Sequence, residues 1–290
     1  MYEEFKKYLG PSRPCLICGD DHDAINRTVW ASDEYFKAVQ CEKCGLVAVE
    51  PGLTEEGLNA YYSNNIQRRF DDDKKMKDRQ KQYLQDRDFM ETFIQSGEVL
   101  DVGCNGGFFL DTLSNKFTKH GIEIDGDAVK YAATHYDYDI RQEWIGKDSL
   151  NENTFDLIIF RGVIEHMYDP KSALNRAYDL LKTGGMLFFS ATPNLESFCA
   201  DVYREKWGLW HPIQHINIFS VKTLHKLMGE DRFNLVAADY PYLGTPYENQ
   251  EEDYKKIQHD INMKQQGKWD EVDKNPPFWG NMMSALYQKK

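Results

Sequence analysis

The sequence lacks any long apolar run. Of its 290 residues, 41% are hydrophobic and 28% are charged, and no stretch approaches the roughly 20 apolar residues that span a bilayer. The opening run MYEEFKKYLG also lacks the apolar core of a secretion signal. These absences argue against a membrane protein and predict a cytoplasmic location, in which the six cysteines are reduced thiols.

Blocks of positive charge are missing as well. The chain has 35 Lys and Arg against 47 Asp and Glu, a net charge of −12, so its surface as a whole repels phosphate backbones. The run at 68–88 mixes both signs, which is typical of a solvated helical face. The composition therefore predicts no nucleic-acid partner and no membrane partner. It leaves the oligomeric state open.

Four of the cysteines form two matched pairs, each followed by a glycine: Cys15-x-x-Cys18-Gly19 and Cys41-x-x-Cys44-Gly45. A tight turn with this spacing supplies two thiolates, and four thiolates complete the tetrahedral shell of zinc. Because sulfur fills all four positions, no place remains for a catalytic water, and the Zn²⁺ is predicted to be structural. The alternative is a ribbon that reads nucleic acid, which six Lys and Arg against nine Asp and Glu in residues 1–50 disfavour.

From residue 96 onwards, short apolar runs alternate with segments whose apolar residues recur at helical spacing. This alternation predicts an α/β fold, with a mostly parallel sheet covered by helices. Strands are expected at 98–103, 119–125, 155–160 and 186–194, with helices at 107–117, 126–136 and 170–185. The last helix is expected to be closed by its glycines, and the run at 275–290 alternates like a closing antiparallel strand.

The expected domain organisation has three parts. Residues 1–52 form the zinc ribbon, residues 53–95 a helical linker, and residues 96–290 the α/β domain. Pro51 and Gly52 end the ribbon, and Thr54 is suited to cap the first linker helix. The linker is predicted to contain one or two helices.

A glycine-rich loop follows the first strand of the alternation. In DVGCNGGFF (101–109), Asp101 ends the strand and the glycines precede a helix N-terminus, so a ligand can lie against bare backbone. Glu123, near the end of the second strand, is placed to accept both hydroxyls of a ribose. Together these features predict a nucleoside cofactor. For the loop alone, a tight strand-to-helix turn without a ligand is the alternative.

The run DVGCNGG closely resembles the class I S-adenosylmethionine-dependent methyltransferases, whose pattern is an acidic residue followed by x-G-x-G-x-G. Asn105 replaces the middle glycine, and asparagine tolerates the left-handed backbone conformation. A nicotinamide oxidoreductase, the competing interpretation, would favour glycine at 103, 105 and 108. The resemblance extends over residues 96–240 and implies a Rossmann-like fold with a mostly parallel seven-stranded sheet, with S-adenosylmethionine as cofactor.

The resemblance also implies positions that contact the cofactor. They are Asp101, Gly103, Asn105, Gly107, Glu123, Ile124, Glu143, Trp144 and Arg161, with Glu143 and Trp144 near the adenine. Arg161 has two further interpretations. It could bind an anionic acceptor, or pair with Glu165 at the i+4 spacing of a helix.

Three residues are candidates for proton removal from the acceptor. Glu165 and His166 follow the fourth strand, where the resembling family places the methyl group, and His215 lies in the aromatic segment 207–220. Histidine suits this task near neutral pH. The alternatives are that His166 packs under the cofactor loop and that 207–220 is a hydrophobic cap whose histidines are only hydrogen-bonded.

The four-cysteine ribbon ahead of such a domain is similar to methyltransferases of bacterial surface-polysaccharide and natural-product pathways. The resemblance implies methylation of a small polar acceptor, expected to be a hydroxyl of a sugar, nucleotide sugar or polysaccharide precursor. Two alternatives remain open. One is a sugar C-methyltransferase, and the other is a zinc ribbon that binds a partner protein, with a degenerate cofactor domain.

Overall fold

The computed structural model describes residues 3–19, 27–65, 73–147 and 149–290. Its strands are, in chain order, β1 Arg27–Ser32, β2 Lys37–Cys41, β3 Val47–Val49, β4 Gly97–Val102, β5 Phe117–Glu123, β6 Asp139–Gln142, β7 Phe155–Arg161, β8 Leu181–Pro193, β9 Asn217–Ile218, β10 Phe233–Asp239 and β11 Met282–Lys289. Its α-helices are α1 Glu55–Asn65, α2 Asp73–Glu91, α3 Phe108–Thr112, α4 Gly126–His135, α5 Pro170–Leu180, α6 Phe198–Tyr203, α7 Val221–Met228 and α8 Gln250–Gln265. Short 3-10 helices cover Glu3–Tyr8, Ile164–His166, Arg204–Lys206 and Trp269–Glu271. Within these ranges, no helix combines the length and apolar character that crossing a membrane requires.

The chain divides into two compact units, each built from separate segments. The first contains Met1–Ile66, Pro193–Thr223 and Tyr240–Met283, and the second contains Gln67–Thr192, Leu224–Asp239 and Ser284–Lys290. The boundaries between these two units differ from the predicted domain boundaries, which were 1–52, 53–95 and 96–290. The predicted three-part organisation stays a prediction.

The second unit is built on a seven-stranded sheet with strand order β10-β11-β8-β7-β4-β5-β6. The pairs β4–β5, β4–β7, β5–β6 and β7–β8 are parallel, and β10 pairs antiparallel with β11. The central strands are continuously apolar because helices cover both faces, and residues 157–160 of β7 are fully buried. The predicted mostly parallel α/β sheet, with its closing antiparallel strand, is confirmed.

Two element boundaries differ from the sequence-based expectation. Helix α3 ends at Thr112 rather than near 117, and Phe117 already begins β5. Helix α5 ends at Leu180, so the glycines that were expected to close it lie within β8 instead. In β8, Leu181 pairs with Phe155 and Met186 pairs with Leu157. Residues 182–185 therefore form an irregular stretch between two paired positions, which accommodates Gly184 with its φ of +78°.

The first unit contains a four-stranded sheet with order β1-β2-β3-β9, in which each neighbouring pair is antiparallel. Strand β9 comes from the aromatic segment 207–220, so this segment joins the cysteine-containing part of the chain in one sheet. Trp30 on β1 packs edge-on against Trp207 at 6.0 Å and lies 6.1 Å from Trp210. Both partners are buried, so they build a core, as the cap interpretation of this segment expects.

Candidate functional site

The glycine loop lies where the first strand of the parallel sheet ends. Asn105 has a φ of +52°, so it adopts the left-handed conformation predicted for it. Its side-chain oxygen accepts a hydrogen bond from the amide of Gly106 at 2.8 Å, which stabilises this conformation locally. Gly107, with a φ of +82°, precedes the first residue of α3. The loop therefore brings backbone to the carboxyl edge of the sheet.

Gly103 allows a close approach between two segments of this edge. A Cβ atom at Gly103 would lie 2.7 Å from a methyl carbon of Val163, closer than side-chain atoms tolerate. The φ of Gly103 is +70°, which other residues rarely adopt. Any larger residue at 103 would therefore displace Val163, the residue that follows the end of β7 by two positions.

Glu123 joins the end of β5 to the glycine loop. Its Oε2 accepts the amide of Asn105 at 2.9 Å, and its Oε1 accepts the amides of Ile124 at 2.7 Å and Asp125 at 3.0 Å. A carboxylate oxygen has two lone pairs, so Oε2 retains the capacity to accept a hydroxyl. The neighbouring Asp125 caps α4 by accepting the amide of Asp127, as the sequence predicts.

Two buried carboxyl groups flank the loop. Asp101, at the end of β4, and Glu165, after β7, are each 2% exposed. Within the described part of the chain, no hydrogen-bond partner reaches Asp101 Oδ1 or Glu165 Oε2. Burial raises the pKa of each carboxyl to about 8, although the charge of Arg161 opposes the rise. Unpartnered polar atoms in such a place are suited to a ligand.

Arg161 pairs with a residue that the sequence analysis did not single out. Its Nε donates to Oδ2 of Asp86, on α2, at 2.9 Å, and its guanidinium lies 4.2 Å from the centre of the Tyr83 ring. The i+4 pair with Glu165 required a helix, whereas Arg161 ends β7. The interpretation of Arg161 as a residue that binds an anionic acceptor stays a prediction. Asp86 lies on α2 three residues after Tyr83 and four before Met90, both of which are buried, and this spacing was its only signal in the sequence.

The residues predicted to contact the cofactor at the ends of β5 and β6 differ in exposure. Ile124 is 59% exposed and Trp144 is 52% exposed, although both are large and apolar. Glu143 is more enclosed, and one of its carboxylate oxygens accepts a hydrogen bond from the Ser149 hydroxyl. Exposed apolar side chains after two neighbouring strand ends can cover the faces of a planar ring.

The candidate bases belong to different units. His166, in the second unit, has its Nε2 3.7 Å from Oε1 of Glu165. His215, in the first unit, is mostly buried, and its Nδ1 lies 2.7 Å from the carbonyl oxygen of Leu209. Because a carbonyl only accepts, Nδ1 carries the proton, and the neutral ring has its lone pair on Nε2.

The four predicted metal ligands lie together in the first unit. The sulfur atoms of Cys15, Cys18, Cys41 and Cys44 are all within 4.8 Å of one another. The Cys15–Cys44 sulfurs are 3.4 Å apart and the Cys18–Cys41 sulfurs are 3.6 Å apart. Four thiolates bound tetrahedrally to zinc at about 2.3 Å have sulfurs about 3.8 Å apart. The donor set therefore fits zinc.

The first unit also contains a cavity of about 480 Å³. Its lining combines aromatic, hydroxyl and charged side chains, among them Trp30, Phe198, Ser220, Glu196, Arg204 and Lys222. Ligand pockets in proteins commonly measure about 300–1,000 Å³. The cavity is thus large enough for a small polar molecule.

Comparisons with known proteins agree with the Rossmann-like fold. The S-adenosylmethionine-dependent methyltransferase from Thermotoga maritima superposes with a TM-score of 0.54 at 17% identity, covering 80% of this chain and 99% of that one. The ubiquinone biosynthesis O-methyltransferase of Paracidovorax citrulli is 33% identical over 105 residues, and that of Coxiella burnetii is 32% identical over 107 residues.

Each of these two alignments covers 33% of this chain and 44% of the relative, so the matched segment spans less than half the length of the curated relatives. The family model described as a methyltransferase domain matches residues 73–238. This match contains the glycine loop, the strand end at Glu123 and the Glu165–His166 pair. Because it covers more than half of the chain, the chain belongs to the methyltransferase-domain family.

Proposed function

We propose that the protein is an S-adenosylmethionine-dependent methyltransferase whose donor site lies in the second unit. The observation that carries this proposal is the loop held by Glu123: a left-handed Asn105 donates its amide to a carboxylate at the neighbouring strand end. If this turn bound no ligand, the buried Oδ1 of Asp101 beside it would be left without a hydrogen-bond partner among the described residues. Such unpartnered buried atoms are uncommon in folded proteins. S-adenosylmethionine supplies a methyl group that is already activated for transfer.

Residues of the glycine loop and of the neighbouring strand ends would each contact a different part of S-adenosylmethionine. Gly103, Asn105 and Gly107 present backbone, and Oε2 of Glu123 accepts a ribose hydroxyl. Ile124 and Trp144 cover the adenine ring, and Glu143 accepts a hydrogen bond from its amino group. Because the donor is activated, the task of the protein is chiefly to align donor and acceptor.

Proton removal from the acceptor is assigned to a histidine. His166 is one candidate, because its Nε2 lies 3.7 Å from Oε1 of Glu165. Ionisation of this buried carboxyl, whose pKa is raised to about 8, would stabilise the imidazolium that forms when the ring accepts a proton. His215 is the other, because its Nδ1–H is held by Leu209 and its Nε2 is the basic atom. Arg161, whose Nε donates to Asp86, remains a proposed contact of the cofactor.

The proposed acceptor is a small polar molecule methylated on oxygen. The curated relatives named as O-methyltransferases support oxygen as the methylated atom. The resemblance of the four-cysteine ribbon and its following domain to methyltransferases of surface-polysaccharide and natural-product pathways supports an acceptor such as a sugar, nucleotide sugar or polysaccharide precursor. We further propose a structural Zn²⁺ at the four cysteines and a cytoplasmic location.

The function is tested by incubating the full chain with S-adenosylmethionine and a panel of sugars, nucleotide sugars and phosphorylated metabolites. Release of S-adenosylhomocysteine with an acceptor supports the proposal. With that acceptor, either His166→Ala or His215→Ala should lower turnover by about 10²–10⁴-fold. If both variants keep full turnover, the assignment of the base is wrong.

A further inference from the structure

Three carboxyl groups and one guanidinium are buried in the second unit beside the glycine loop. Asp101 pairs with Ile159 across β4 and β7. Since side chains alternate along a strand, Arg161 lies on the same face as Ile159 and Asp101. Asp86 approaches this face from α2, and Glu165 follows β7. The three carboxyl side chains are each 2% exposed.

The single guanidinium pairs with Asp86 through Nε, while its Nη2 is buried without a hydrogen-bond partner among the residues that the structure describes. The Arg161 Nε donates to Asp86 Oδ2 at 2.9 Å, and the Ser284 hydroxyl lies 3.4 Å from the other Asp86 oxygen. Arginine stays protonated in proteins, and a buried guanidinium without a counter-charge is costly. Burial raises the pKa of Asp86, and the charge of Arg161 opposes this rise. In its ionised form the Arg161–Asp86 pair carries no net charge.

This pairing leaves the two other buried carboxyl groups without a counter-charge of their own. Asp101 and Glu165 each keep one buried carboxyl oxygen without a hydrogen-bond partner among the residues that the structure describes. Arg161 acts on both carboxyls through space, but its charge is already offset by Asp86. A cation bound beside these carboxyls would favour their ionised forms and lower the pKa of each from about 8, and the two ionised groups would then be its counter-charges.

We propose that Asp86 is a positioning residue of the donor site: it neutralises Arg161 so that Asp101 and Glu165 can balance a positively charged donor. This inference rests on the proposed function. S-adenosylmethionine carries a sulfonium charge, whereas the product S-adenosylhomocysteine has a neutral thioether at the same place. The pair thereby helps the site to prefer donor over product, which limits product inhibition.

The charges of Asp86 and Arg161 predict how each variant changes the preference for donor over product. Asp86→Asn leaves the Arg161 charge uncompensated, so the site becomes more positive and repels the sulfonium. The double variant Asp86→Asn/Arg161→Met removes both charges and restores the original balance. Because it also leaves no unpaired buried charge, the double variant remains a usable test where the single variant folds poorly.

The experiment measures the dissociation constants of S-adenosylmethionine and S-adenosylhomocysteine separately by calorimetry, on full-length chains whose folding is checked by thermal melting. Asp86→Asn is expected to weaken donor binding by about tenfold and product binding by less than about threefold. The double variant should recover the wild-type ratio of the two constants. Asp139→Asn, which breaks an exposed pair with Arg141 in the same unit, is the matched control and should leave the ratio unchanged.

Two results would overturn the inference. One is an equal loss of donor and product affinity in Asp86→Asn, which indicates a purely structural role. The other is a double variant whose ratio stays altered. If the wild-type chain binds neither compound, the proposed function itself is wrong. This outcome is distinguishable from the two results above, in which the wild-type chain binds both.

Discussion

The backbone amide of Asn105 donates a hydrogen bond to the carboxylate of Glu123 across 2.9 Å. The same carboxylate accepts the amides of the two residues that follow it, Ile124 and Asp125. One side chain thus holds the left-handed glycine loop against the end of the neighbouring strand. The shape of the loop and the proposed ribose contact therefore depend on a single residue.

Replacing Glu123 tests this dual role. Glu123→Ala should weaken S-adenosylmethionine binding by about 10–100-fold, because hydrogen bonds to a charged group contribute about 1.5–3 kcal/mol. The free energy of unfolding should also fall, since three backbone amides lose their acceptor. Calorimetry measures the first effect, and denaturant titration measures the second.

The neighbouring acidic residue provides the control. Asp125 caps α4 through its side chain, and asparagine caps helices about as well as aspartate. Asp125→Asn should therefore keep the donor affinity within about twofold of the wild-type value. Wild-type affinity in Glu123→Ala would show that the ribose contact is made elsewhere.

The buried carboxyls predict a pH dependence of stability. The pKa of Asp101 and of Glu165 rises to about 8 in the folded protein, from ordinary values of 3.8 and 4.5, because burial disfavours the charged form. The folded state therefore holds protons that the unfolded state has released. Stability from these groups is full below the ordinary values and is lost as the pH rises towards about 8, by about 1.4 kcal/mol per pH unit for each proton.

Denaturant titrations of the unliganded chain across this pH window measure the effect. Asp101→Asn, which imitates the protonated carboxyl, should flatten the decline and be more stable than the wild type above about pH 8. Asp139→Asn, at an exposed position, should leave the slope nearly unchanged. If the free energy of unfolding instead rises with pH over this window, these carboxyls are ionised in the folded state.

The cysteine cluster predicts bound metal. We expect about one zinc ion per chain in purified protein, by elemental mass spectrometry, and Cys44→Ser should lose most of it. Removing the metal with a chelator should also destabilise the first unit, because the four sulfurs come from two separate turns that the ion would join.

Cys199 is the matched control for this measurement. It is buried in the same unit but lies outside the cluster. Cys199→Ala should therefore retain the wild-type zinc content even where its melting temperature changes. Loss of zinc in Cys199→Ala but not in Cys44→Ser would contradict the assignment of the ligands.

The sheet could be predicted from the sequence because its signals are local. Continuous apolar runs predict buried parallel strands such as β7, and the capping residue Asp125 predicts the start of α4. The left-handed conformation of Asn105 follows from its place in a glycine pattern. Each of these inferences needs only a few neighbouring residues, whose preferences agree with the final structure.

Features that depend on distant parts of the chain could not be predicted in the same way. Asp86 and Arg161 are 75 residues apart, and nothing near either residue identifies the partner. The pairing of β9 with β3 joins residues 217–218 to the cysteine-containing segment, although a compositional boundary suggested separate domains. The predicted end of α5 was also wrong. Glycines that follow a helical pattern can end the helix, but they can equally lie in an irregular part of a strand, as they do in β8.

The central claim is that the Glu123-held loop binds S-adenosylmethionine, and a calorimetric titration of the full chain tests it most directly. We predict saturable binding of S-adenosylmethionine, lost or strongly weakened in Glu123→Ala and retained in Asp125→Asn, with no binding of NAD. Absence of heat with S-adenosylmethionine, or saturable binding of NAD in its place, would contradict the account.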